Sequence, residues 1–228
     1  MEGRMNPFAD KIKDGKLELW NLLLGLDDYA FISDLLKENS ITTLNIFDIR
    51  MGLDKVWILA SGLRDNTTLT ALYLASNNIG PEGAKHLADG LRDNTSLVTL
   101  DLWENKIGPE GAKHLVSWLR DNTSLVTLDL AHTDIGPEGI RHLTNGLQDN
   151  TCLLTYAGPG SADLTPILQR NKRAREAART AAMCTVALKK FKKTPLMNFI
   201  DKNVVQIIAQ KVWSTRGQRE WLNALENK

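Results

Sequence analysis

The sequence predicts an α/β fold: a right-handed solenoid arc with short strands in a parallel sheet on its concave face and helices on its convex face, followed by a C-terminal α-helical module. Three observations carry this. A unit of 28 residues recurs head to tail; within each unit the apolar spacing changes from alternation to steps of three and four; and a Gly-Pro-Glu triplet stands where the spacing changes.

The units align without gaps. Residues 69–96 read LTALYLASNNIGPEGAKHLADGLRDNTS, 97–124 read LVTLDLWENKIGPEGAKHLVSWLRDNTS, and 125–152 read LVTLDLAHTDIGPEGIRHLTNGLQDNTC; the first two agree at 19 of 28 positions. A looser copy occupies 41–68 and a decayed fifth begins at Leu153. Each unit opens on alternating apolar residues, as in Leu97, Leu100 and Leu102, the pattern of a short strand with one buried face. The strand is expected to stop at Asn105. Gly108, Pro109 and Glu110 then start a helix, where proline loses no hydrogen bond and an acid faces the positive helix end. Ala112, Leu115 and Leu119 form the stripe that packs onto the strand. Asp121, Asn122 and Thr123 end the helix, with Asn122 expected as a left-handed closing residue.

This pattern, LxxLxLxxN followed by IGPEGAKHLxxxLRDNTS, resembles the ribonuclease-inhibitor-like leucine-rich repeats, a type also seen in intracellular immune receptors and actin-capping proteins. The resemblance covers residues 41–168 and implies a non-enzymatic scaffold that binds a protein partner. One unit cannot bury its apolar face alone, whereas stacked units share a continuous core. The ends depart from the pattern. Ile49 stands where Asn77 and Asn105 stand, Leu53 replaces the helix-start proline, and Thr133 replaces the asparagine. Residues 1–40, where Leu17 and Leu19 alternate like a remnant strand and YAFISDLLKENSI echoes the helix half of a repeat, read as an N-terminal helical cap. The segment DLTPILQRNKRAREAARTAAM reads as a helix closing the other end, and 169–228 as a basic C-terminal cap or module.

Residues alternating with the buried leucines point to the concave face. Between the strand leucines lie Asn45, Tyr73, Asp101 and Asp129. After them come Phe47, Ala75, Trp103 and Ala131, and beyond those Asp48, Ser76, Glu104 and His132. The candidate partner-binding residues are Phe47, Asp48, Tyr73, Asp101, Trp103, Glu104, Asp129 and His132. Aromatic side chains beside charges make interface hot spots, and the acids suit a basic protein while excluding nucleic acid from this face, since phosphates need Lys and Arg. Trp118 stands where Gly62, Gly90 and Gly146 stand and is a candidate second contact on the convex side.

No nucleophile elbow or glycine-rich phosphate loop is present, so no catalytic residue is assigned. His86, His114 and His142 recur at 28 residues, but helices in a solenoid lie about 8–10 Å apart, too far for shared coordination, and duplication alone explains the ladder. Cys152 and Cys184 have no partners at metal-ligand spacing. No metal and no cofactor is expected. The absence of a long apolar run or a secretory signal makes the cytoplasm the expected compartment, or a host cell's cytoplasm if the chain is delivered as an effector by an intracellular pathogen.

The net charge of +1 hides an asymmetry: residues 1–168 hold 14 Lys and Arg against 23 Asp and Glu, or −9, and residues 169–228 hold 14 against 4, or +10. Such a split points to separate modules. Between 170 and 193 the cations include Arg173, Lys189, Lys190, Lys192 and Lys193, a second candidate contact through which an acidic protein, nucleic acid or an anionic membrane would attach. From Pro195 the segment LMNFIDKNVVQIIAQKVW carries a broad apolar helical stripe, and a short helix is expected over Gln218 to Asn227. IDKNVVQIIAQKVW resembles an F-box-like segment without its Leu-Pro opening. That resemblance implies an alternative role, the substrate adaptor of a ubiquitin ligase.

Overall fold

The computed structural model describes residues 6–20 and 22–191. The chain divides into two compact units, Met1–Leu168 and Gln169–Lys228. The first unit carries the sheet: β1 (Ile12–Lys13), β2 (Lys16–Trp20), β3 (Thr43–Phe47), β4 (Ala71–Tyr73), β5 (Thr99–Asp101), β6 (Thr127–Asp129) and β7 (Thr155–Ala157), neighbours in sequence order. β1 pairs antiparallel with β2 as a hairpin, and every later pair is parallel. Helices α1 (Leu26–Lys37), α2 (Leu53–Leu63), α3 (Gly80–Gly90), α4 (Gly108–Leu119) and α5 (Gly136–Gly146) alternate with the strands, and α6 (Ser161–Phe191) follows β7. This is the solenoid architecture expected from the period, with the register of one strand on the next fixed at 28 residues from β3 to β7, as in Leu72 opposite Leu100 and Leu100 opposite Leu128.

The core is a set of columns. Leu17, Leu44, Leu72, Leu100 and Leu128 are register partners with no exposed surface. Leu19, Ile46, Leu74, Leu102 and Leu130 form a second column, and Leu59, Leu87, Leu115 and Leu143 close it from the helices. Each such side chain contributes about 1.5–3 kcal/mol by leaving water. At β7 the first column ends on Tyr156, opposite Leu128, and its hydroxyl donates to Pro159 O at 2.8 Å. Gly158, at φ 141°, brings its backbone so close to Leu130 that a Cβ would meet the carbonyl carbon at 2.9 Å.

Two asparagine ladders hold the turns. Asn77 Nδ2 donates to Ile46 O at 2.6 Å and Asn105 Nδ2 to Leu74 O at 2.7 Å, each one unit back, while Asn105 Oδ1 accepts from Asn77 N at 3.0 Å and Ile79 N at 3.2 Å. In the next unit Thr133 takes that position and its hydroxyl donates to Leu130 O within its own unit at 2.5 Å. The second ladder corrects the reading of Asn122. Asn66, Asn94, Asn122 and Asn150 are buried, and none has a positive φ. Asn94 Nδ2 donates to Asn66 O at 2.9 Å and Asn122 Nδ2 to Asn94 O at 3.1 Å, while their Oδ1 atoms accept from Leu97 N at 2.9 Å and Leu125 N at 2.8 Å. These side chains join helix end, next strand and preceding unit, because the backbone there is buried and must be paired.

Among the described helices α1 alone is followed by a left-handed asparagine, Asn39 at φ 56°; in the aligned repeats the left-handed residues lie instead after the strands. Regular pairing ends at Asp101 rather than running to Asn105, and Ser76, Glu104 and His132 have φ of 57°, 56° and 56°. The helix-start glycines Gly80, Gly108 and Gly136 have φ of 69°, 67° and 59°, which explains why glycine precedes each proline.

Of the second unit the described residues continue α6 to Phe191, with Arg173 exposed. Lys189 and Lys190 lie on the last turns of that helix. Lys192, Lys193, the apolar segment from Pro195 and the helix expected over Gln218 to Asn227 lie outside the described residues.

Candidate functional site: the open sheet face

The helices pack on the leucine side of the sheet, so the alternate residues of each strand form its other, open face. They fall into three columns. The first holds Lys16, Thr43, Ala71, Thr99, Thr127 and Thr155; the second Glu18, Asn45, Tyr73, Asp101, Asp129 and Ala157, which pair across neighbouring strands. The third holds Trp20, opposite Phe47, then Ala75, Trp103 and Ala131. Asp48, Ser76, Glu104 and His132 follow on the left-handed turns.

The strand residues inferred from the sequence therefore share one face, and those on the turns border it. Phe47 is 41% exposed, Tyr73, Asp101, Trp103 and Asp129 are half-buried, and Asp48, Glu104 and His132 are exposed. Several are held in place. Asp101 Oδ1 accepts from Trp103 N at 2.9 Å, and Asp129 Oδ1 from Ala131 N at 2.8 Å, so each carboxylate is oriented by the backbone two residues on. Trp103 meets His132 edge to face, with ring centroids 5.8 Å apart and planes at 84°. Ser76 Oγ lies 2.7 Å from Glu104 Oε2, to which it donates.

Burial pushes the Asp101 carboxyl above its ordinary range; the Trp103 N–H opposes this, and the neighbouring Asp129 charge adds to it. A carboxylate so placed gains from an incoming cation, which would offset the repulsion between the two acids. Among the described residues of the three columns the single cation is Lys16, against Glu18, Asp101 and Asp129.

Sequence reasoning missed Trp20 and Glu18. Their signal was available: once Leu17 and Leu19 point inward, Glu18 and Trp20 must point outward. Trp20 is 56% exposed and stands beside Phe47 on the next strand.

Trp118 is a correction. It is 4% exposed and belongs to the core, so it offers no outward contact. The position it shares with Gly90 and Gly146 faces the preceding helix: a Cβ on Gly90 would collide with Ala60 O, and one on Gly146 with Val116. By the same offset Trp118 faces Ala88, whose small side chain leaves room for the ring. Its indole N–H is buried without an acceptor among the described residues. Among the described residues the exposed tryptophan of the helix side is Trp57, 58% exposed, on the rim of a groove between α2 and α3 with Ser61, Arg64, His86 and Asp89.

Two of the three repeated histidines sit beside acids of their own helices. His114 Nε2 is 3.9 Å from Glu110 Oε1 and His142 Nε2 is 3.8 Å from Glu138 Oε1. Among the described residues no three His, Cys, Asp or Glu side chains group as metal ligands, and no helix is long and apolar enough to cross a membrane.

Comparison with known proteins agrees with this geometry. A family model described as Leucine Rich repeat matches residues 65–88, 93–116 and 121–143. No curated protein matches the chain by sequence. Among solved structures, leiomodin-1 actin-binding site 2 is similar with a TM-score of 0.64 at 20% identity, over 72% of this chain and 99% of that one. The tropomodulin C-terminal domain of Caenorhabditis elegans is similar with a TM-score of 0.61 at 18% identity, over 68% of this chain and 99% of that one.

Proposed function

We propose that the chain is a non-enzymatic protein-binding scaffold whose open sheet face holds a basic protein partner. One observation carries this reading: the face presents Asp101, Asp129, Glu18, Tyr73, Trp103, Phe47 and Trp20 from successive strands, with Lys16 as its cation among the described residues of the columns. Aromatic groups supply contact area at small entropic cost, and acids beside them select the sign of the partner's charge. The 28-residue period supports the ribonuclease-inhibitor-like type of repeat. The similar leiomodin-1 structure is an actin-binding site, which supports a protein as the class of ligand for this fold; at 20% identity the likeness does not extend to the choice of protein.

The test is affinity capture with the full chain, run in parallel with Trp103→Ala and Asp101→Lys. Both variants should keep the parent circular-dichroism spectrum and lose the proteins that the parent retains at low salt. Capture that is unchanged by both substitutions overturns the assignment of this face.

A further inference from the structure

The rows of the open face run across the strands, and their spacing bears on the shape of what lies on them. Neighbouring strands are about 4.8 Å apart. A helix laid across them returns the same face every turn, about 5.4 Å, whereas an extended chain returns the same face every second residue, about 6.7 Å. Over the four steps from β2 to β6 a helix drifts out of phase by about 2.4 Å, and an extended segment by about 7.6 Å, more than one whole strand spacing. A helix keeps one residue per turn over each strand.

The second and third rows differ in chemistry. Glu18, Asn45, Tyr73, Asp101 and Asp129 make a polar, mainly acidic row. Beside it run Trp20 and Phe47, 56% and 41% exposed, then Ala75 and the half-buried Trp103. Two large exposed aromatic side chains paired side by side at the β2 end mark a contact surface rather than scattered hydrophobes.

We infer that the ligand of this face is an amphipathic helix, lying across β2 to β6 with an apolar stripe on Trp20, Phe47 and Trp103 and a neighbouring basic stripe on Glu18, Asp101 and Asp129. This deepens, and rests on, the reading of the open face as the binding site. The stretch from β2 to β6 is about 19 Å, which takes roughly 13 helical residues. The inference also enlarges the site toward its N-terminal end, where Trp20 and Glu18 become contacts.

The experiment uses two fluorescein-labelled synthetic peptides of about 15 residues and identical composition, titrated into the full chain by fluorescence anisotropy. One places arginine and leucine in adjacent stripes at helical spacing; the other alternates them, as on the two faces of a strand. The helical peptide should bind in preference to the alternating one, and Trp20→Ala and Glu18→Lys should each weaken it about tenfold with thermal unfolding unchanged. Equal or tighter binding of the alternating peptide overturns the helix while leaving the face in place, provided that binding is lost in Asp101→Lys. Helical binding lost in Asp101→Lys but unchanged in Trp20→Ala and Glu18→Lys overturns the N-terminal extension alone. Failure of both peptides to respond to Asp101→Lys and Trp103→Ala overturns the face itself.

Discussion

Asn94 shows how much a single side chain holds in this architecture. Its amide donates to Asn66 O and its oxygen accepts from Ser96 N and Leu97 N, all in or beside the buried interior. Alanine at this position leaves several backbone groups without partners, each costing about 1–3 kcal/mol if water cannot reach it. Asn94→Ala is therefore expected to lower unfolding free energy by about 3 kcal/mol, read from urea denaturation. Asp101 behaves in the opposite way. Its pKa is raised in the folded state, so the folded chain binds more protons than the unfolded chain between that raised value and the ordinary value near 3.9, and stability falls as pH rises through this window. Asp101→Asn keeps an oxygen for the Trp103 N–H and removes the penalised charge. It should match or exceed the parent in urea midpoint at pH 7, with the difference shrinking in acid, while weakening capture of a basic partner.

At the scale of the element, strand and helix positions were legible because they repeat: three Gly-Pro-Glu triplets begin three helices, and the leucine alternation places each strand. What one sequence could not separate are roles that share a residue type. Asn122 as a left-handed closing residue and Asn122 as a buried bridge look alike in the sequence; only the neighbouring unit's free carbonyl at Asn94 tells them apart. The burial of Trp118 depends on what the preceding helix offers at that level, which local periodicity does not contain. Trp20 and Glu18 follow from the Leu17 and Leu19 alternation, but they lie before the aligned 28-residue copies, in a segment read only as a cap. Helix spacing gives the matching experiment. Gly90 lies against the Ala60 carbonyl, so Gly90→Ala must push α3 from α2 and is expected to cost about 1–3 kcal/mol despite alanine's better helix propensity, measured by thermal or urea unfolding.

For the whole repeat unit, contacts between neighbours and a common register make the copies nearly interchangeable. Removing residues 97–124 brings α5 against α3, where Ala88 replaces Val116 beside Gly146 and leaves space rather than a clash. The shortened chain is expected to fold, with the urea m-value reduced by roughly a sixth and a lower midpoint, and to lose the partner because Asp101 and Trp103 go with the deleted unit. A chain that fails to fold would show that this central unit is not exchangeable. The backbone bonds that run from unit to unit, such as Val98 N to Thr70 O at 2.9 Å and Val126 N to Val98 O at 2.8 Å, lie along the stacking direction. Tension applied between the ends of the stack would therefore load these bonds one at a time, as in opening a zipper, and not all together as in shear. Each 28-residue unit that gives way would release about 95 Å of chain, so under load the repeats would act as a stepwise extensible spring.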